Sequence, residues 1–246
     1  MINFSKISNS TFLGKILRNI IKIIPKNSIL PILQGSAKGM KWIVGSGVYG
    51  YWLGSYEMEK QKVFSKSISE GDVVFDIGAH VGFYTLIASK LVGETGKVYS
   101  FEPFPKNISY LKKHIRLTKL ENVEIIDKAV SNKTGEVFFE AGQSSSTGKI
   151  SKNGQKIQSI KLDDFIKENI SVPDIIKMDI EGGETETLKG AEITLRKYRP
   201  IILLATHGKE IHKECLKILE RLNYQLESIG EKNVSETSEL IAKSIR

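Results

Sequence analysis

The chain has one cysteine, Cys215, among its 246 residues, which excludes an intrachain disulfide and any chemistry needing a cysteine pair. Long apolar runs are missing as well. The longest contender, Ile20 to Ile24, is interrupted by Lys22 and stopped by Pro25, far short of the roughly 20 residues that cross a bilayer. No small-residue cleavage site follows it, so a removable secretory signal is not expected and a cytoplasmic location is. Acidic residues are absent from the first 56 positions, which hold Lys6, Lys15, Arg18, Lys22, Lys26, Lys38 and Lys41. Those cations carry seven of the eight net positive charges, so the rest of the chain is nearly neutral. That weakens any case for a nucleic-acid binder on charge alone, and no nucleic-acid partner is expected.

What is there is ordinary globular composition, 40% hydrophobic and 26% charged, enough for one large α/β domain with an extension. The charge step divides the chain into residues 1–56, a basic amphipathic helix with an aromatic and glycine-rich cap, and residues 57–246, the main domain. Within 1–34, Phe4, Ile7, Phe12, Leu13, Ile16, Leu17, Ile20, Ile21 and Ile24 recur at roughly helical spacing between cations. Such a helix packs on its own domain or on a second subunit, making an oligomer possible, or it lies on an anionic membrane surface. Residues 35–56 interleave Trp42, Tyr49, Tyr51, Trp52 and Tyr56 with glycines, which reads as short strands and turns. Their rings suit either a substrate wall or a hydrophobic cap on the sheet.

The chain is organised around Val73–Pro103. An apolar run leads into Asp76-Ile77-Gly78-Ala79-His80-Val81-Gly82, an amphipathic segment follows from Phe83 to Leu91, and a second apolar run ends at Glu102. The pattern predicts strand, glycine turn, helix and strand, half of a nucleotide-binding unit. Gly78 and Gly82 permit a sharp turn and close approach of a ligand, Ala79 supplies backbone beside them, and the helix amides face the same space. Glu102, followed by Pro103, stands where a carboxylate accepts bonds from two ribose hydroxyls. The spacing D-x-G-x-x-x-G lacks the packed glycines of a dinucleotide loop, and Asp76 would repel a pyrophosphate. A ligand with a ribose, an amino acid and no phosphate fits better, with Asp76 near its ammonium or a hydroxyl: S-adenosylmethionine. The competing reading is a turn that only joins strand to helix.

Farther along, Phe104 to Leu120 is expected to be a helix and Val123 to Val130 one strand, with Asp127 and the amide of Ala129 placed to read an adenine edge. Glu136 to Glu140 and Ile157 to Leu162 read as extra strands around a polar insertion at 142–155. The stretch DIIKMDIEGGETETLKG, residues 174–190, predicts a buried strand that releases Asp179, Glu181 and Glu184 at its end, then one helix from Glu184 to Tyr198. Carboxylates at that end sit in the ligand crevice of an open α/β sheet, although Glu184 also suits the start of a helix. Pro200 to Gly208 is a further buried strand ending at His207, either a general base or a hydrogen-bonded structural histidine. A helix over Lys209 to Asn223 makes Cys215 a core residue, and Tyr224 to Ile229 with Leu240 to Lys243 completes an edge pair.

Together WLGSYE (52–57), FDIGAHVGFYTL (75–86), VYSFEPFPKN (98–107), AVSNKTG (129–135), IKMDIEGGE (176–184) and RPIILLATHG (199–208) resemble the FkbM family of S-adenosylmethionine-dependent methyltransferases. The resemblance spans roughly Tyr51 to Gly208. It implies a class I methyltransferase (Rossmann-like) fold: a seven-stranded sheet, mostly parallel, with an antiparallel C-terminal strand. It also implies methyl transfer, mostly to hydroxyl oxygens, with sugar hydroxyls and a macrolide hydroxyl among known acceptors. Glu57, Glu181 and Glu184 then fall on the acceptor side, and Asp179 and His207 are candidate bases. Similar proteins often carry Glu just before that histidine, where this chain has Ala205-Thr206. An alcohol must lose its proton as it attacks, so a base, or a divalent ion on Asp179 and Glu181, is required; base catalysis without a metal is the expectation. The acceptor is expected to be a glycan or another small hydroxylated molecule. An N-methyltransferase of nucleic-acid bases commonly carries an Asn/Asp-Pro-Pro-aromatic stretch where this chain reads Asp179-Ile180-Glu181-Gly182, which makes an RNA methyltransferase the second reading, and a binding module without catalysis would take up the cofactor and never turn over.

Overall fold

A computed structural model describes residues 23–141, 148–150, 154–169 and 171–244. The basic segment predicted as a helix therefore lies mostly outside the described residues. Beyond Pro25, Ile29–Pro31 (β1) pairs antiparallel with Lys41–Ile43 (β2). Ile24, Leu30 and Ile32 turn into the core while Ile23, Ile29 and Leu33 stay exposed. Two helices follow, α1 (Tyr49–Leu53) and α2 (Met58–Ser67).

The main sheet begins with β3 (Val73–Ile77), α3 (Phe83–Val92), β4 (Lys97–Phe101), α4 (Pro105–Thr118) and β5 (Val123–Ile126). The single strand expected to Val130 breaks at Asp127. β6 (Ala129–Val130) leaves the main sheet and joins β7 (Gly135–Ala141), β8 (Gly148–Ile150) and β9 (Gln155–Ile160) in a second sheet of order β6-β9-β7-β8. Then come α5 (Leu162–Asn169), β10 (Ile175–Met178), α6 (Glu184–Lys189), α7 (Glu192–Tyr198), β11 (Ile201–Ala205), α8 (Lys209–Arg221), β12 (Tyr224–Ser228) and β13 (Glu239–Ser244). The one helix expected from Glu184 to Tyr198 is thus two, broken at Gly190-Ala191.

The main sheet runs β12-β13-β11-β10-β3-β4-β5, parallel except for β13, which is antiparallel to both neighbours. This is the expected seven-stranded class I methyltransferase sheet with its antiparallel C-terminal strand. Its central strands are buried on both faces, as a sheet covered by helices requires. Side chains alternate between two cores: Phe75, Ile176 and Leu204 join Phe165, Leu188 and Cys215 on one face, while Val74, Ile175 and Leu203 join Leu86, Phe64 and Trp42 on the other. Cys215 is the core residue its helical spacing predicts.

Trp42 ties the N-terminal hairpin to the sheet by stacking on His114 with ring centroids 3.9 Å apart. The Ile43 amide donates to His114 Nε2 at 3.1 Å, and Nδ1 lies 2.7 Å from the Val81 carbonyl, to which it donates. Burial presses the imidazole down to about 4, so it is neutral and can hold both bonds at once.

Order decides where a ligand goes. From β3 the chain builds outward through β4 and β5, then returns to lay β10 and β11 on the other side of β3. The loops leaving β3 and β10 diverge at that reversal and open a crevice at the strands' C-terminal ends.

Candidate active site

A pocket occupies this crevice. Gly78, Ala79 and His80 come from the loop after β3, Glu102, Pro103 and Phe104 from the loop after β4, and Lys128 to Val130 from β6 and its approach. Asp179, Ile180, Glu181 and Gly183 come from the loop after β10, and Tyr51, Tyr56 and Tyr84 from the N-terminal cap and α3. The aromatic cap therefore divides: Tyr51 and Tyr56 form wall, while Trp42 and Trp52 are core.

Gly78 is required by contact and conformation together. Its φ is +77°, and a Cβ there would stand 2.0 Å from the carbonyl oxygen of Asp179, so only glycine lets the two crevice loops touch. His80, Glu57 and Glu181 adopt left-handed backbone without being glycine, with φ of 51°, 43° and 54°. Such conformations cost about 1–2 kcal/mol each and concentrate where the surrounding structure dictates side-chain direction.

Glu102 is the carboxylate around which one side of the pocket is organised. It is buried, its Oε2 accepts from the His80 amide at 2.8 Å, and its Oε1 accepts from the Phe104 amide at 3.0 Å and from Asn107 Nδ2 at 3.1 Å. Burial raises its pKa and these three donors oppose the rise. The donors fix the plane of the carboxylate, leaving its remaining lone pairs to the pocket it lines. Beside it, His80 is driven down to about 4 by burial and by the Lys177 ammonium, so it stands as a neutral imidazole.

Lys177 accounts for Asp76. These residues face each other across the β3–β10 ladder, and Lys177 Nζ lies 3.1 Å from Asp76 Oδ1 and 2.9 Å from the Gly78 carbonyl. Thr85 Oγ1 donates to the other Asp76 oxygen at 2.7 Å. Asp76 is fully buried and does not reach the pocket wall, which corrects its expected place beside a ligand ammonium. The pair braces the glycine loop from beneath. Gly82 is also absent from the wall: it starts α3, and its Cα packs on Leu111. Asp127 is exposed and outside the wall as well, although Lys128 and Ala129 line it.

The other side of the pocket is built around Asp179. Its Oδ2 accepts from Lys60 Nζ at 3.0 Å, and its Oδ1 lies 3.6 Å from His207 Nε2. Glu181 Oε2 lies 3.7 Å from the same nitrogen. Behind the imidazole, Nδ1 donates to Glu184 Oε1 at 2.6 Å, and the Gly182 amide donates to that oxygen at 3.1 Å. Glu184 is fully buried and does not line the pocket, so its expected contact with an acceptor is corrected to a place behind His207. Glu57 likewise sits outside the wall, accepting from the Tyr84 hydroxyl at 2.9 Å with Lys60 Nζ 3.4 Å away. His207 stands just beyond the wall formed by Asp179 and Glu181, about a third exposed.

These placements set the charges. The Glu184 hydrogen bond raises the His207 pKa, burial works against it, and the neighbouring carboxylates add to the rise. Burial alone would push Asp179 up, but the Lys60 and Lys177 ammoniums outweigh it and hold the carboxyl at about 2. Among the described residues no group of three or more His, Cys, Asp or Glu side chains has the arrangement of a metal site, and no helix is long and apolar enough to cross a membrane.

The donor set fits a nucleoside without phosphates. Glu102 offers a carboxylate to vicinal hydroxyls, Phe101, Phe104, Pro103 and Val130 offer apolar surface to a base, and Glu102, Asp179 and Glu181 would repel a pyrophosphate. Two cations also line the pocket, Lys128 and Lys177, and the Lys177 ammonium is engaged by Asp76 and the Gly78 carbonyl. Lys60 and Lys177 escaped the sequence reading. The signal for Lys177 was a cation inside the apolar run Ile175-Ile176-Lys177-Met178, which demands a buried partner.

Residues 76–226 match the methyltransferase FkbM domain family. The hexuronic acid methyltransferase AglP of Haloferax volcanii is 25% identical over 175 residues, covering 70% of this chain and 71% of that protein. Among solved structures, the methyltransferase FkbM from Methylobacillus flagellatus superposes with a TM-score of 0.55 at 21% identity. That match covers 72% of this chain and only 44% of the other, so this chain spans less than half of that protein's length. An S-adenosylmethionine-dependent O-methyltransferase from Thermotoga maritima gives a TM-score of 0.51 at 14% identity, over 93% and 82% of the two chains.

Proposed function

The chain belongs to the FkbM methyltransferase domain family, whose methyl donor is S-adenosylmethionine, and from that premise we propose that it methylates a hydroxyl oxygen of a saccharide or similar polyhydroxylated acceptor. The observation that carries this reading is the Glu184–His207 pair with its free face toward Asp179 and Glu181. A sulfonium methyl can be attacked by an amine without prior deprotonation, whereas an alcohol must shed its proton during attack. A buried carboxylate behind an imidazole, with the outer nitrogen at the edge of the pocket, is the apparatus for that proton. The likeness to a hexuronic acid methyltransferase supports a sugar as the carrier of the hydroxyl.

In this reading Glu102 takes the ribose hydroxyls, and the Lys128–Ala129 backbone with Phe101 and Phe104 takes the adenine. S-adenosylmethionine, when bound, supplies an electrophilic methyl on a positively charged sulfur. Asp179 and Glu181 would receive the acceptor's other hydroxyls and fix the orientation of the reacting one, which lowers the entropic part of the barrier. His207 Nε2 would take the proton that the acceptor hydroxyl sheds as it attacks. Glu184 stabilises the imidazolium through Nδ1–H and fixes the ring tautomer. The proton then leaves to solvent through the exposed edge of His207.

The test is turnover of purified protein with S-adenosylmethionine and a panel of methyl glycosides, neutral and uronic, against ribonucleosides and primary amines. Mass spectrometry should find a methyl ether on a glycoside, lost with His207→Ala. Methyl transfer to nucleosides or amines alone, or cofactor binding without transfer to any acceptor, would reject the reading.

A further inference from the structure

Lys60 is buried, with 3% of its side chain exposed, yet it carries a full charge three residues after Glu57 on α2. Its ammonium meets three carboxylates from three parts of the fold: Asp179 Oδ2 at 3.0 Å after β10, Glu239 Oε2 at 2.9 Å at the start of β13, and Glu57 Oε2 at 3.4 Å. The Tyr84 ring lies beneath, its centroid 5.7 Å from Nζ. A lone ammonium in this position would be costly to bury, and the three acidic partners keep it charged. Such a node would be pure scaffolding if all its partners faced inward. They do not: Glu57, Glu239 and Asp179 keep 27%, 28% and 21% of their side chains exposed, and Asp179 lines the pocket with its second oxygen toward His207 Nε2.

We propose that Lys60 is a positioning residue for His207: by holding one oxygen of Asp179, it orients the other toward His207 Nε2 and limits how strongly that carboxylate attracts a proton to the imidazole. The proposal rests on the reading of His207 as the proton acceptor and adds a remote control on it. Three observations support it. The Asp179 oxygens are divided, Oδ2 to Lys60 and Oδ1 toward His207. The second cation near Asp179, Lys177, has its ammonium on Asp76 and the Gly78 carbonyl, which leaves Lys60 as the one that hydrogen-bonds Asp179 among the described residues. The groups facing His207 are otherwise all acidic: Glu184 at Nδ1 and Asp179 and Glu181 at Nε2, with Glu57 and Glu239 one layer farther around Lys60. Without Lys60 this cluster would hold the proton too tightly, and the imidazole would remain protonated when the acceptor arrives.

The experiment is a proton NMR titration of the His207 ring in the full chain, assigned with His207→Gln and read without any acceptor. Lys60→Met should raise the His207 midpoint by about one pH unit, the effect of unmasking one adjacent carboxylate. Lys60→Arg should return it toward the wild-type value, and in an Asp179→Asn background the Lys60→Met substitution should no longer shift it. Should Lys60→Met not fold, Glu239→Gln reports the same coupling with opposite sign, because it leaves more of the Lys60 charge to Asp179 and lowers the midpoint. A His207 midpoint unmoved in every foldable variant, or moved equally by Lys60→Met with and without Asp179, overturns the proposal. Loss of the base role itself would appear elsewhere, as full methyl transfer by His207→Ala, so the two failures are distinguishable.

Discussion

Glu184 Oε1 lies 2.6 Å from His207 Nδ1, and that hydrogen bond joins the first residue of α6 to the loop after β11. The acidic partner missing from the histidine's own strand therefore arrives from another element. Thr206, just before the histidine, turns inward: its Oγ1 lies 2.9 Å from His212 Nδ1, and its amide donates to the Ser238 carbonyl.

The pH dependence of turnover follows from this pair. A base must be neutral to accept a proton, and Glu184 raises the His207 pKa from its ordinary 6.5. The acid limb of kcat/KM should then have its midpoint above pH 6.5, with rate rising as pH rises. Glu184→Gln removes the largest raising influence, so the limb should move to lower pH while kcat falls. His207→Ala should cost about 10²–10⁴-fold in kcat, the usual worth of a positioned acid–base group. Rate–pH profiles of the three proteins on one acceptor provide the check.

Cofactor affinity should depend on Glu102 in a graded way. Hydrogen bonds to a charged partner contribute about 1.5–3 kcal/mol, so Glu102→Ala should weaken S-adenosylhomocysteine binding by roughly 10–100-fold or more. Glu102→Gln keeps one acceptor oxygen and should fall between. Isothermal titration of the product settles this without an acceptor. Equal affinities in all three proteins would place the ribose elsewhere.

The main sheet was legible because its strands advertise themselves. Val73–Ile77, Ile175–Met178 and Ile201–Ala205 are short apolar runs, each followed by the loop that builds the site, and their bounds follow from where polarity returns. Glu102 and Asp179 were readable as carboxylates at strand ends for the same reason. The break at Asp127 was not, because Val123 to Val130 is continuous enough to be one strand, and only pairing with the distant β9 draws Ala129 away. The helix break at Gly190-Ala191 was hidden in a similar way, the Ser131 carbonyl pressing on Gly190 from 59 positions earlier in the chain. Lys60 belongs to the same class. On α2 alone it reads as a solvated lysine, and only the fold brings Asp179 and Glu239 to it.

The Asp76–Lys177 pair makes a stability prediction that separates scaffold from ligand contact. Both residues are buried between central strands. Removing one partner strands the other charge, so Lys177→Met should destabilise by about 3–5 kcal/mol. Replacing both, Asp76→Asn with Lys177→Met, should recover part of that loss, since no unpaired charge is left. Denaturant unfolding of the single and double variants measures the coupling. A double variant as unstable as the sum of its singles would mean that the two residues act independently.

Acid sensitivity should trace in part to the histidine under the N-terminal hairpin. His114 is fully buried, and its pKa falls from 6.5 to about 4 because burial disfavours the imidazolium. A histidine whose folded pKa is depressed binds fewer protons folded than unfolded, so its contribution to stability is complete above pH 6.5. It declines as pH falls toward 4 and is constant below that. By pH 4.5 the loss should reach roughly 2–3 kcal/mol. His80, also near 4, should act in the same window, whereas the raised His207 works in the opposite direction, favouring the folded state as it takes up its proton. Comparing wild type with His114→Phe isolates the term. The variant loses the bonds to the Ile43 amide and the Val81 carbonyl and should be less stable at pH 7.5. Its stability should then fall less steeply than wild type between pH 7.5 and 4.5, and the two denaturation midpoints should converge. Parallel curves would show that His114 takes up its proton at the same pH folded and unfolded, so that burial does not depress it.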